Sequence, residues 1–228
     1  MGHDGTGPAV LVLDGEPGAP AGLAWCGPRD LMLRSSPAAF APVARALMLA
    51  EWERTHRHCG RCGTPTVAEP GEHARRCPAC GLRAYPRLSP VVIVAVTAGE
   101  RILLARAARF PPGLFSVLAG FVEAGETLEE AVHREVREEV GVRLADVRYA
   151  GSQPWPFPHQ LMVGFTAVHA GGAPVPDGAE IVEARWFGAH ELPRLPPPAS
   201  IARRLVDAWA AGAGGAPGGR RDAGTVGG

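Results

Sequence analysis

The chain has 228 residues, 46% of them hydrophobic, enough for one large domain or two small ones and too much for global disorder. Its formal net charge is +0, which excludes a nonspecific nucleic-acid or membrane-surface binder, and its bases are all Arg, which excludes any lysine-dependent Schiff-base or phosphate-loop chemistry. No apolar run approaches the roughly 18 residues of a membrane span, no secretory pattern opens the chain, and four of five cysteines sit in CxxC pairs, so a reducing, cytoplasmic setting is expected.

Residues 10–13 (VLVL) read as a short strand, 14–22 as a turn, and 23–25 as a second strand. Cys26, the unpaired cysteine, reads as a buried structural thiol rather than a nucleophile, because no motif surrounds it. Ser35-Ser36-Pro37 is a helix start, a hydroxyl cap with Pro in the first turn. Phe40, Val43, Ala44, Leu47 and Glu51 follow one helical stripe, and the helix should run to about His56.

Next come CGRC at 59–62 and CPAC at 77–80, fourteen residues apart. Each CxxC can form a knuckle that aims two thiolates at one ion, so Cys59, Cys62, Cys77 and Cys80 are expected to complete a tetrahedral zinc site. Four protein ligands leave no open position, so the zinc should be structural. His56, His58 and His73 then read as surface histidines. The loop between the pairs is mixed in charge, which favours a staple or oligomer surface over a nucleic-acid module.

From Pro90 the pattern changes. The β-branched run 91–97 (VVIVAVT) predicts a strand buried on both faces, and 98–100 a turn into a second strand, 101–106, forming a hairpin. RFPPGLFSVLAG reads as a loop. It leads into Gly120–Val142, a glycine turn, a carboxylate-rich helix and a closing glycine. At 3.6 residues per turn Glu135 and Glu139 stack on one face with Glu138 beside them. Like charges packed so closely make sense when hard divalent cations lie against them, shared with substrate phosphates. Residues 147–151 read as a strand, SQPWPFP as a proline-stiffened loop, and 161–169 as a strand. Residues 180–187 read as a strand bent near its start, and 200–211 as an amphipathic helix capped by Ser200. The Gly-rich tail from 212 should be disordered.

Gly120, Glu126, Arg134-Glu135-Val136, Glu138-Glu139 and Gly141-Val142 fill every fixed position of a signature that resembles that of the Nudix hydrolases. SQPWPFP, beginning at Ser152, looks like the SQPWPFPxS signature of the NADH diphosphatase (NADH pyrophosphatase) subgroup, whose members also carry a four-cysteine ribbon before the Nudix domain. LPPPASIARRL at 195–205 looks like that subgroup's C-terminal segment. The resemblance covers roughly residues 56–211 and departs in two places. Gln160 stands where the final Ser falls, and the N-terminal segment is shorter than usual.

The resemblance implies an α/β fold, an α/β/α sandwich around a mixed sheet, preceded by the zinc ribbon and a small N-terminal α+β segment. The corresponding divisions are 1–55, 56–88, 89–211 and a tail at 212–228. Glu135 and Glu139 are then the main Mg²⁺ or Mn²⁺ ligands, Glu138 adds a ligand or acts on the attacking water, and Glu180 is a further ligand, with Glu183 the next candidate. Arg134 and Glu126 pair to hold the loop on the helix. Tyr85 and Phe121 sandwich the base, Gln153, Trp155 and Phe157 contact substrate, and Ala202 lines the pocket. The implied reaction is hydrolysis of the diphosphate of NADH, and less efficiently NAD⁺, to nicotinamide mononucleotide and AMP. The same linkage occurs in NAD caps at RNA 5′ ends, and relatives imply a homodimer. A Nudix hydrolase of another nucleoside diphosphate derivative, such as ADP-ribose, and a non-catalytic ligand-binding regulator are the alternatives. The intact acidic helix argues against the regulator.

Overall fold

The computed structural model describes residues 26–213. The strands expected at 10–13 and 23–25, and nearly all of the tail from 212, lie outside those residues. Helix α1 (Pro28–Arg34) follows Gly27 with Pro in its first turn, and α2 (Pro37–Thr55) starts on Ser36, whose hydroxyl accepts from the Ala39 N–H. Helix α2 is legible in the sequence pattern, whereas α1, at 7 residues, is too short to show a helical period. Cys26 is exposed, so its reading as a buried thiol is corrected.

The ribbon carries a small antiparallel sheet of β1 (Val67–Ala68), β2 (Arg75–Arg76) and β3 (Arg83–Ala84). Arg75 ties it back to α2 through an ion pair with Glu53 and to Thr66 Oγ1 at 2.7 Å.

The second sheet comprises β4 (Ser89–Ala98), β5 (Arg101–Ala107), β6 (Leu118–Phe121), β7 (Arg143–Trp155), β8 (Gln160–Gly171) and β9 (Ile181–Gly188), in the order β7-β8-β4-β5-β9. It is mixed: β4 pairs parallel with β8 and antiparallel with both β5 and β6. Strand β6 occupies part of the segment read as a loop. It pairs Val91–Val94 at the start of β4, while β5 pairs only the far end from Val96. Strand β7 also runs further than expected and takes in Ser152–Trp155, so only the end of SQPWPFP is loop. Pro154 is tolerated because β7 is an edge strand.

Alternation along β4 builds two cores. Val92, Val94 and Val96 face α3 (Leu128–Val140) through Ala131, Val132, Val136 and Val140. Ile93 and Ala95 face α4 (Ile201–Ala213) through Ile201, Ala202, Leu205 and Val206. The outcome is the α/β/α sandwich, with a fully buried strand that reads as a continuous apolar run. A third cluster packs Met32, Phe40, Val43 and Ala44 of the N-terminal helices against Trp155 and Phe157, so α1 and α2 brace the proline-aromatic loop.

Candidate active site

Four sulfurs lie within 4.8 Å of one another in the ribbon, with Sγ–Sγ separations of 3.6 Å for Cys59–Cys80, 3.5 Å for Cys62–Cys77 and 3.7 Å for Cys62–Cys80. A tetrahedron with zinc–sulfur bonds of about 2.3 Å has edges of about 3.8 Å, so the thiols fit zinc closely. Each knuckle is folded by its own backbone. The Gly63 N–H donates to Cys59 O at 2.9 Å, and the Gly81 N–H donates to Cys77 O at 3.0 Å. Both glycines have positive φ, 74° and 75°, which favours glycine at those turns. The four donors are all protein thiols, so the site is structural and takes no part in the chemistry described next.

The second site is organised by α3. Thr127 and Glu130 form a capping box at its start, and Gly141 ends it at φ 70°. Glu139 faces inward at 7% exposure, and its Oε2 has no hydrogen-bond partner among the described residues. Burial, with Glu135, Glu180 and Asp177 nearby, pushes its carboxyl up to about 8, and Arg109 pulls weakly the other way. Burial also raises Glu135, against the Arg134 hydrogen bond. An orphaned carboxylate oxygen beside further carboxylates is an arrangement that a hard divalent cation satisfies, since it takes oxygen ligands and removes the repulsion.

Arg134 is the scaffold of this corner. Its Nε donates to Glu126 Oε1 at 2.5 Å, and Nη1 to Glu135 Oε1 at 2.9 Å and Glu138 Oε2 at 3.1 Å. Its Nη2 donates to Glu126 Oε2 at 2.9 Å and Phe121 O at 2.8 Å. All of the guanidinium's donors are thereby engaged. Glu126, so held, also accepts from the Glu123 N–H at 2.9 Å, and its carboxyl falls to about 2, chiefly through Arg134.

Gly120 explains how closely the helix approaches the sheet. A Cβ there would stand 1.8 Å from Glu135 Cδ, so only glycine admits the carboxylate.

Glu180 reaches the same place from the loop before β9. That loop is stitched to α3 by Val175 N–H to Val140 O at 3.0 Å and Asp177 N–H to Glu139 O at 3.0 Å. Asp177, missed in the sequence, accepts from the N–H groups of Ala179, Glu180 and Ile181, which fixes the turn carrying Glu180. An Asp next to Gly just before a strand was the available signal. Glu183 is paired with Arg106 and Arg185, both at 2.6 Å, and does not line the cavity beside Glu180.

That cavity has a volume of about 940 Å³ and joins the acidic cluster to an apolar wall. Glu135, Glu138, Glu139 and Glu180 line it, as do Phe121, Trp155, Phe157, Gln160 and Ala202. Helix α1 adds Arg29, whose guanidinium lies 4.2 Å over the Phe157 ring, so one face of that ring is covered. Gln153 stands behind the wall: its Nε2 donates to Ala199 O at 2.8 Å and its Oε1 accepts from the Ile201 N–H at 2.7 Å. Those bonds fix the start of α4 against β7. Tyr85 does not line the cavity within one chain and is 54% exposed, while Phe121 at its rim is 52% exposed.

Residues 87–210 match the NUDIX domain family, and residues 54–85 match the NADH pyrophosphatase zinc ribbon domain. The chain is 51% identical over 202 residues to the NAD-capped RNA hydrolase NudC of Pseudomonas aeruginosa, covering 89% of this chain and 72% of that protein. It is 49% identical to the protein of the same name from Deinococcus radiodurans, covering 87% and 71%. Among solved structures, a NUDIX hydrolase from Nitrosomonas europaea superposes with a TM-score of 0.53 at 27% identity, covering 66% of this chain and 86% of that one. The chain belongs to the Nudix hydrolases. Within them it is a diphosphatase of the NADH pyrophosphatase type, with that group's zinc ribbon.

Proposed function

We propose that this enzyme hydrolyses the diphosphate of NADH, and less efficiently that of NAD⁺, releasing AMP and the nicotinamide mononucleotide. The observation that supports this most is a single cavity holding a carboxylate cluster at one end and an aromatic, proline-braced wall at the other. A dinucleotide needs both: oxygen donors toward its diphosphate, and flat apolar contact for a base. Water adds to one phosphorus, the bond from that phosphorus to the bridging oxygen breaks, and the water proton leaves to a carboxylate.

Glu135, Glu139 and Glu180 hold the divalent cation, Mg²⁺ or Mn²⁺, for which an all-carboxylate donor set is suited. Such a cation neutralises diphosphate charge and makes water a better nucleophile. Glu138, kept in place by Arg134 and with a side chain 62% exposed, takes the proton from the water or adds a ligand. Arg134 and Glu126 are architectural, since they bind each other and the loop. Phe121, Trp155 and the free face of Phe157 receive the base, and Ala202 closes the pocket floor. Gln153 acts on substrate through the position of Ala199–Ile201.

The exposed Tyr85, Leu88 and Phe121 support a homodimer, in which apolar surface from one copy covers another. Tyr85 then reaches a base only if the dimer brings it there. The names of the relatives support removal of NAD caps from RNA 5′ ends as a second activity at the same site. No helix among the described residues is long and apolar enough to cross a membrane, and the cluster of reduced thiols supports a cytoplasmic setting. The test is a substrate panel of NADH, NAD⁺, ADP-ribose and NAD-capped RNA, with products resolved by chromatography. The highest kcat/KM should fall on NADH or the cap. A clear preference for ADP-ribose would replace this reading with the sugar-diphosphate one.

A further inference from the structure

Three guanidinium groups line the cavity, those of Arg29, Arg109 and Arg134. Arg134 has no donor left, because Glu126, Glu135, Glu138 and Phe121 O take them all. Arg29 lies against the Phe157 ring, on the apolar wall. Arg109 differs from both. It makes no hydrogen bond or ion pair to any described residue; it lies loosely over the Phe110 ring, 5.4 Å from the centroid, and pulls only weakly on the Glu139 carboxyl.

Its place is nevertheless fixed. It lies two residues past the end of β5, and the Ala108 N–H donates to Glu180 O at 2.8 Å, which ties the Arg109 segment to the residue before β9. On the other side Phe110 N–H donates to Ala107 O at 2.9 Å, closing a tight turn. The backbone therefore anchors Arg109 next to Glu180 at the edge of the cavity, and its positive charge acts on Glu139.

Charge asks for such a group. Glu123, Glu135, Glu138, Glu139, Asp177 and Glu180 all line the cavity. A diphosphate diester brings two more negative charges into this acidic cluster. Cations held by carboxylates answer part of that repulsion, and Arg134 is neutralised by its own partners. We infer that Arg109 is a catalytic residue that grips the non-bridging oxygens of the substrate's diphosphate through its free guanidinium fork. Arg suits the task because its planar fork matches two phosphate oxygens at once and its charge is permanent. The grip strengthens as negative charge grows on those oxygens during attack.

The inference rests on the proposed diphosphatase activity, and the experiment separates the two. Arg109→Ala and Arg109→Lys are compared with wild type on NADH with Mg²⁺, alongside zinc content, thermal midpoint and calorimetric binding of AMP. The expected result is a fall in kcat/KM of roughly 100-fold or more for Arg109→Ala, the scale of losing one transition-state donor. Arg109→Lys should recover part of that loss, added guanidinium should partly rescue Arg109→Ala, and AMP binding should weaken with zinc content and thermal midpoint unchanged. Activity of Arg109→Ala within threefold of wild type would overturn the inference. So would equal losses in both variants with no guanidinium rescue and unaltered AMP binding. Absence of NADH cleavage by the wild type would instead overturn the diphosphatase reading itself.

Discussion

Gly120→Ala is the sharpest perturbation of the site, because it adds one methyl group and removes no ligand. Gly120 lies in β6 opposite Val92, and its missing side chain is the space that the Glu135 carboxylate fills. A Cβ would stand 1.8 Å from Glu135 Cδ and 2.1 Å from each of its oxygens, where ordinary contact begins at 3.4 Å. The carboxylate is the far end of a flexible side chain, so it can retreat, by about 1.5 Å, and a displacement of about 1 Å at a reacting centre costs on the order of 100-fold in rate. Folding should suffer far less. An off-rotamer glutamate costs about 0.5–1.5 kcal/mol, and the sheet pairing is untouched. The retreat also breaks the Arg134–Glu135 hydrogen bond of 2.9 Å, which loosens the scaffold at its centre.

The assay is steady-state NADH hydrolysis over a Mg²⁺ titration, with the thermal midpoint and zinc content measured on the same preparations. The predicted outcome is a loss of about 100-fold in kcat/KM, weaker Mg²⁺ dependence and a nearly unchanged midpoint. In a Glu135→Gln background the added methyl should cost little more, since the two changes act on one group. Turnover of Gly120→Ala within threefold of wild type, at the same Mg²⁺ requirement, would refute the reasoning.

Glu139→Gln should abolish turnover without lowering the thermal midpoint of the cation-free protein, because the buried carboxylate it replaces has an unpartnered oxygen; near-normal turnover removes Glu139 from the cation site. Cys77→Ser should reduce bound zinc, measured by elemental analysis, from one per chain to a small fraction, and should lower the first thermal transition as the ribbon loses its closure. The Glu126 carboxyl, lowered to about 2 by Arg134 from an ordinary 4.5, contributes stability that is fully present above 4.5 and is lost as pH falls toward 2. In chemical denaturation the gap between wild type and Glu126→Gln should therefore be constant at neutral pH and shrink through that window; a gap independent of pH would contradict the assigned pairing.

The site was legible in the sequence wherever the chemistry demanded residue types at fixed offsets. Glu135 and Glu139 stack because a helix repeats every 3.6 residues, and the thiols meet because a CxxC turn has one geometry. Long-range placement was less legible. Asp177 and Arg109 are single residues in the connections 172–180 and 108–117, and only the stitching of those connections to α3 and to Glu180 brings them to the cavity. Helix α1 has too few residues for a period, and its contribution to the cavity depends on packing against Phe157. Strand β6 was hidden because four residues containing a glycine carry no strand propensity, and its pairing with β4 decides the matter. SQPW reads as a loop from its proline, yet an edge strand tolerates a residue without an N–H.

The most direct measurement is product analysis of NADH incubated with the zinc-loaded protein, with and without Mg²⁺ or Mn²⁺. AMP and reduced nicotinamide mononucleotide should appear in equal amounts, only when the divalent cation is present, and not with Glu139→Gln. No AMP at any cation concentration, or release of the free base instead of the mononucleotide, would contradict the account.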